Sequence, residues 1–89
     1  LDETVAIVAT LDMIDTKKWF TLLGTNIRSR RETMGMSQEE VADLASIDVR
    51  YLGGIERAQR NPSLKVIIAI AQALETSPIN LISDAHNPN

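Results

Sequence analysis

The strongest constraint on the fold lies between Ser37 and Glu56, in the run S-Q-E-E-V-A-D-L-A-S-I-D-V-R-Y-L-G-G-I-E. Ser37 followed by Glu40, just ahead of an apolar run, writes a helix start. The serine hydroxyl can accept a first-turn backbone N–H, and the glutamate carboxylate can reach back to the serine N–H. Val41, Ala42, Leu44 and Ala45 then suit one amphipathic helix of about two turns. The pattern breaks at Ser46-Ile47. Asp48 offers a second N-cap, and Leu52 and Ile55 face inward at i, i+3 spacing. Two short helices joined by a turn of about three or four residues make a helix-turn-helix, whose second helix can enter a duplex major groove. Ala42 fits that crossing, because a small side chain lets two helices approach closely.

The second helix, Asp48 to about Arg57, has outward positions at Val49, Arg50, Gly53 and Gly54. Two glycines in a short helix cost about 1 kcal/mol each relative to alanine, so they need a reason. Clearance is one: without side chains, the backbone can lie closer to a groove floor or a phosphate. Fraying of the helix at that point is the other reading. Val49 can touch a thymine methyl, and Arg50 can fork onto guanine O6 and N7. Val49, Arg50, Gly53 and Gly54 are therefore the candidate base-reading positions.

Upstream, Phe20, Leu23, Ile27, Arg31 and Met34 recur at helical spacing from about Asp15 onward, and Gly35 stands where a helix C′ residue takes positive φ. Trp19, early in this helix, suits packing at a domain edge more than stacking on a base. Arg28 reads as part of a solvated face. Downstream, Ser63 caps a helix from Leu64 to about Leu74. One apolar face holds Leu64, Ile67, Ile68, Ala71 and Leu74, and a second holds Val66, Ile70 and Ala73. A helix apolar on so much of its circumference is covered on more than one side, here by a second subunit. Ser77-Pro78 opens a last short helix with Ile79, Leu81 and Ile82. Val66, Ile70, Ala73, Ile79 and Leu81 are the expected dimer contacts.

The stretch resembles the phage-repressor-like (Cro/repressor-type) helix-turn-helix family. The resemblance spans roughly Leu22 to Ile82 and is carried by R-x-x-x-G-M-S-Q-E-E, Y-L-G-G-I-E-R, R-N-P-S-L and S-P-I-N-L-I in that order. It implies an all-α, compact five-helix domain that binds double-stranded DNA, with Gln38 and Tyr51 on phosphates and Ser37 capping the first motif helix at the DNA surface. The loop holding Arg57, Arg60 and Asn61 resembles the family's backbone-contacting loop. Arg31 matches an arginine that pairs with the glutamate ending the recognition helix, here Glu56. Two positions depart from the pattern: Ser46 and Ala58 stand where the family commonly has glycine, which adds strain if either needs positive φ. Within the family, Y-L-G-G-I-E-R-x-x-R-N-P-S-L is similar to restriction–modification controller proteins. An antitoxin-type module that binds a protein partner is the alternative from another class.

Charge bears on that choice. The net charge of −3 runs against the usual basic character of DNA binders. Yet Asp2, Glu3, Asp12 and Asp15 concentrate acid in the first residues, while Arg50, Arg57, Arg60 and Lys65 can still form a local basic face. This balance implies modest, salt-sensitive DNA affinity. Residues 1–14 lie outside the family pattern and read as an extension, either upstream or added sequence or a dimer arm; residues 15–83 form the domain, and 84–89 a flexible tail. Hydrophobic content of 44% with 24% charge marks a globular chain, and no apolar run approaches the ~20 residues of a membrane span. The absence of cysteine suits the cytoplasm. Catalysis finds no support, no cofactor is implied, and Asp84 with His86 makes too sparse a set to hold a metal. The expectation is a homodimeric transcriptional regulator reading a near-palindromic operator.

Overall fold

A computed structural model describes residues 16–83. They form five helices: α1 (Thr16–Thr33), α2 (Gln38–Ala45), α3 (Val49–Glu56), α4 (Leu64–Ala73) and α5 (Pro78–Ile82), with no strand among the described residues. The all-α, five-helix expectation holds. The expected extension over 1–14 and the tail over 84–89, with Asp84 and His86, lie outside the described residues.

Each helix start is written locally. Ser37 and Glu40 close the capping box, with the Glu40 N–H donating to Ser37 Oγ at 3.0 Å and the Ser37 N–H donating to Glu40 Oε1 at 2.8 Å. Asp48, Ser63 and Ser77 cap α3, α4 and α5, and Pro78 occupies the first turn of α5. These side chains satisfy N–H groups that have no intrahelical partner.

The helix ends share one device. Gly35, Ser46, Ala58 and Glu75 follow α1 to α4 with φ of 70, 58, 62 and 55°. After each, the next N–H reaches back to a carbonyl in the last turn: Met36 to Arg31, Ile47 to Ala42, Gln59 to Gly54 and Thr76 to Ala71, at 2.8–3.0 Å. These are Schellman closures, in which glycine is the favoured left-handed residue. Here only Gly35 is glycine. Ser46 and Ala58 do occupy positive φ, so the two departures from the family pattern carry the strain expected of them, and Glu75 adds a third strained position.

The core joins Leu23 and Ile27 of α1, Val41, Ala42 and Ala45 of α2, Leu52 and Ile55 of α3, and Ile70, Ala71, Leu74 and Leu81 from the C-terminal half. Helix α2 packs on α4, and α1 packs on both α3 and α5. The α1–α3 approach requires Gly24: a Cβ placed there would lie 2.5 Å from the Glu56 carbonyl oxygen and 2.6 Å from that of Ile55. Polar side chains of α1 complete the joint. Asn26, 7% exposed, donates through Nδ2 to the carbonyls of Leu81 and Ser83, both at 3.0 Å. Arg30 donates to the Leu74 and Glu75 carbonyls at the end of α4, at 2.9 and 3.2 Å. Helix α1 thus satisfies the orphan carbonyls of two other helices.

Three assignments from periodicity need correction. Ile70 and Leu81, expected at a subunit interface, are buried inside the subunit, at 0% and 1% exposure. Leu44, expected on the apolar side of α2, is 65% exposed. The reason is geometric. A helix of about two turns buries one narrow stripe, and in α2 it runs through Val41, Ala42 and Ala45, leaving Leu44 to one side.

Candidate nucleic-acid interface

Helix α3 is fixed at both ends. At its start, Asp48 Oδ1 accepts the N–H groups of Arg50 at 2.7 Å and Tyr51 at 3.4 Å. The Arg50 N–H bond is the main reason the Asp48 carboxyl is held below its ordinary range, with the Arg50 side chain adding to it. At its end, Glu56 receives a guanidinium fork from Arg31: Nε to Oε2 at 2.8 Å and Nη2 to Oε1 at 3.0 Å. Arg31 also donates Nη1 to the Met36 carbonyl at 2.9 Å, and Gln38 Nε2 donates to Glu56 Oε1 at 3.0 Å. The side chains are 12% and 3% exposed. The hydrogen bond to Glu56 raises the Arg31 pKa above its ordinary value, outweighing desolvation. One carboxylate therefore binds α1, the start of α2 and α3 into a rigid mount.

Gln38 is half-buried and commits one amide hydrogen to Glu56, which leaves a second donor. It lines a shallow depression with Arg31, Ser37, Glu39 and Val49. Arg50 projects from the first turn of α3 with its side chain 90% exposed, Nε 3.5 Å from Asp48 Oδ1. Val49 is half-buried beside the depression. Asn61 is exposed, as are Arg57 and Arg60.

The two glycines are not bare. Gly53 and Gly54 are buried, although the sequence places them on the outward side of α3. Arg57 folds back so that Nη1 would lie 3.1 Å from a Cβ on Gly53, and the Arg60 stem crosses Gly54, its Cγ 2.8 Å from a Cβ there. The Arg60 guanidinium lies 5.9 Å from the centroid of the half-buried Tyr51 ring. The open clearance expected at these glycines is thus filled by the chain's own arginines, and α3 is regular through both, without fraying. At the start of α1, Trp19 is 45% exposed with the Lys18 ammonium 5.7 Å from its ring centroid.

Sequence reasoning missed Gly24, Asn26 and the Gln38–Glu56 bond. Gly24 carried a signal, since glycine inside a helix is unfavourable without a packing reason. Asn26 and Gln38 gave none, because their partners are distant in sequence.

A helix-turn-helix family profile matches residues 27–81, from the middle of α1 into α5. The chain belongs to that helix-turn-helix family. This regulator is of the DNA-binding, transcription-regulating type, and the match covers the capping box, α3 and the Arg57–Asn61 loop. Control protein C.SmaI of Serratia marcescens is 37% identical over 62 residues, which are 70% of this chain and 74% of that protein. Among solved structures, the restriction–modification controller protein C.AhdI of Aeromonas hydrophila is 42% identical with a TM-score of 0.68, covering 70% of this chain and 94% of that one. A hypothetical transcription factor, NHTF from Neisseria, is 29% identical with a TM-score of 0.75 and covers 84% and 86%. Among the described residues, no helix of the regulator is long and apolar enough to cross a membrane.

Proposed function

We propose that the regulator binds a near-palindromic operator as a homodimer, each subunit placing α3 in a major groove. The observation that carries this reading is the mounting of α3: Asp48 and the Arg31–Glu56–Gln38 cluster fix both its ends, while Arg50 projects from its first turn with its side chain 90% exposed beside Asp48. Val49 and Arg50 read base edges from there, and Gly53 lets the Arg57 guanidinium lie on the same side. Ser37, Gln38, Tyr51, Arg57, Arg60 and Asn61 hold the backbone, consistent with their positions around α3. A control protein and a controller protein of restriction–modification systems among its relatives support a role in controlling such an operon.

The dimer reading rests on exposed aliphatic side chains. Leu64 and Ile68 lie one turn apart on α4, and Ile79 and Ile82 lie on one side of α5, with exposures from 38% to 69%. Ile79 belongs to the expected interface, whereas Val66 and Ala73 are half-buried against the subunit's own core and Ile70 and Leu81 are excluded by their burial.

Selection of bound duplexes from a random pool, with sedimentation of the free protein, tests both parts. The expected result is a two-fold species on paired half-sites about one helical turn apart. A strict monomer on an asymmetric site would overturn the dimer. Failure to enrich any duplex would overturn the DNA reading and leave capture of a protein partner.

A further inference from the structure

We infer that Gly54 is a positioning residue for DNA binding: it seats the Arg60 side chain along α3, with Tyr51, so that the guanidinium is ordered before the duplex arrives. The inference rests on the reading of α3 as the duplex-facing helix.

Glycine is a poor helix residue, and Gly54 lies inside α3 without positive φ, so its backbone freedom explains nothing. Space does. A Cβ on Gly54 would meet three successive atoms of Arg60: Cγ at 2.8 Å, Cδ at 3.6 Å and Nε at 3.2 Å. The stem lies lengthwise across the glycine, and a Cγ so close to its own backbone clears a new methyl only by changing rotamer. The guanidinium then sits over Tyr51, at 5.9 Å from the ring centroid. Tyr51 and Gly54 are three apart on the helix, and Arg50 and Gly54 are four apart, so ring, seat and the exposed Arg50 share adjacent rows of one face. Gly53 differs in kind. The atom nearest its added Cβ is the terminal Nη1 of Arg57 at 3.1 Å, the far end of a flexible side chain, and the Gln38 amide at 3.8 Å is in ordinary contact.

An arginine ordered in the free protein loses less side-chain entropy on binding. Removing its seat should therefore weaken binding without removing any DNA-contacting group. The full chain is compared as wild type, Gly54→Ala, Arg60→Ala and the Gly54→Ala/Arg60→Ala double variant, on the selected duplex. Gly54→Ala should weaken binding about three- to tenfold when Arg60 is present and have no further effect in the Arg60→Ala background. Helicity guards against misfolding, since alanine favours the helix.

A second readout needs no DNA. In the free wild type, the Arg60 γ and δ protons should be shifted upfield by the Tyr51 ring, and Gly54→Ala should return them to ordinary positions. Unshifted Arg60 protons in the wild type, or equal weakening by Gly54→Ala with and without Arg60, overturns the proposal. A wild type that prefers no duplex overturns the DNA reading instead, and the proton shifts still decide whether the seat exists.

Discussion

Arg31 and Glu56 stand 25 residues apart and meet in a two-point fork, Nε to Oε2 at 2.8 Å and Nη2 to Oε1 at 3.0 Å, that closes the end of α3 onto α1. Only 3% of the Glu56 side chain is exposed, so water cannot take the place of this partner. Arg31→Ala should destabilise the fold by about 3–5 kcal/mol, because it strands a buried carboxylate with Gln38 as its remaining partner. Arg31→Lys should recover only part of that, since an ammonium cannot fork onto Glu56 and also reach the Met36 carbonyl in the same geometry. Urea melts of both variants decide it; a loss below about 1 kcal/mol for Arg31→Ala would show the pair to be a surface contact.

Gly24→Ala should be among the most damaging single-methyl additions in the chain. The new Cβ would meet carbonyl oxygens of Glu56 and Ile55 at 2.5 and 2.6 Å, and backbone cannot rotate away as a side chain can. A destabilisation of about 1–3 kcal/mol or more is expected by thermal or urea unfolding, against the usual gain from glycine to alanine in a helix. A stabilised variant would show that α1 and α3 are not in this close register.

Ala58→Gly should have the opposite sign. Ala58 sits at φ 62°, where a Cβ is unfavourable by about 1–2 kcal/mol, and glycine removes that strain while adding some unfolded-state entropy. A net gain of about 0.5–1 kcal/mol in urea melts is expected, and Ser46→Gly should behave alike. No gain at either site would mean the Schellman closures relax in solution.

Acid should loosen α3 first at its start. The Asp48 carboxyl is held below its ordinary value, so its contribution is fully present above the unfolded carboxyl pKa and is lost as pH falls through the folded one. Asp48→Asn keeps an acceptor at the cap but does not titrate. The stability difference between wild type and Asp48→Asn should be flat near neutrality and shrink towards acid. A difference that grows on acidification would reverse the assignment.

Arg50 separates reading from holding. Arg50→Ala should cost about 1–3 kcal/mol on the preferred duplex and relax preference at one base pair per half-site. Arg60→Ala should weaken all duplexes alike and lower the salt dependence by about one unit per subunit. Titrations on the selected and a scrambled duplex at two salt concentrations distinguish them. Equal losses on both duplexes for Arg50→Ala would pass base reading to Val49.

What the sequence determined by itself is the set of elements. Ser37 with Glu40, Asp48, Ser63, Ser77-Pro78 and Gly35 fix where helices start and stop, because caps and closures are hydrogen bonds between residues at most about five apart. The Arg31–Glu56 pair was legible only through resemblance to a family, its span being far beyond any local rule. Tertiary structure decided what covers each face. Periodicity marked Ile70 and Leu81 as apolar but could not say that the subunit's own core buries them, leaving Leu64, Ile68, Ile79 and Ile82 outside. It marked Gly53 and Gly54 as outward, yet the Arg57 and Arg60 side chains fold back across them. Asn26 and Arg30 look like ordinary helix-face residues until α5 and the end of α4 bring carbonyls to them from 44 to 57 residues away. A helical repeat specifies the direction of a side chain; its neighbour is set by how the helices are brought together in space.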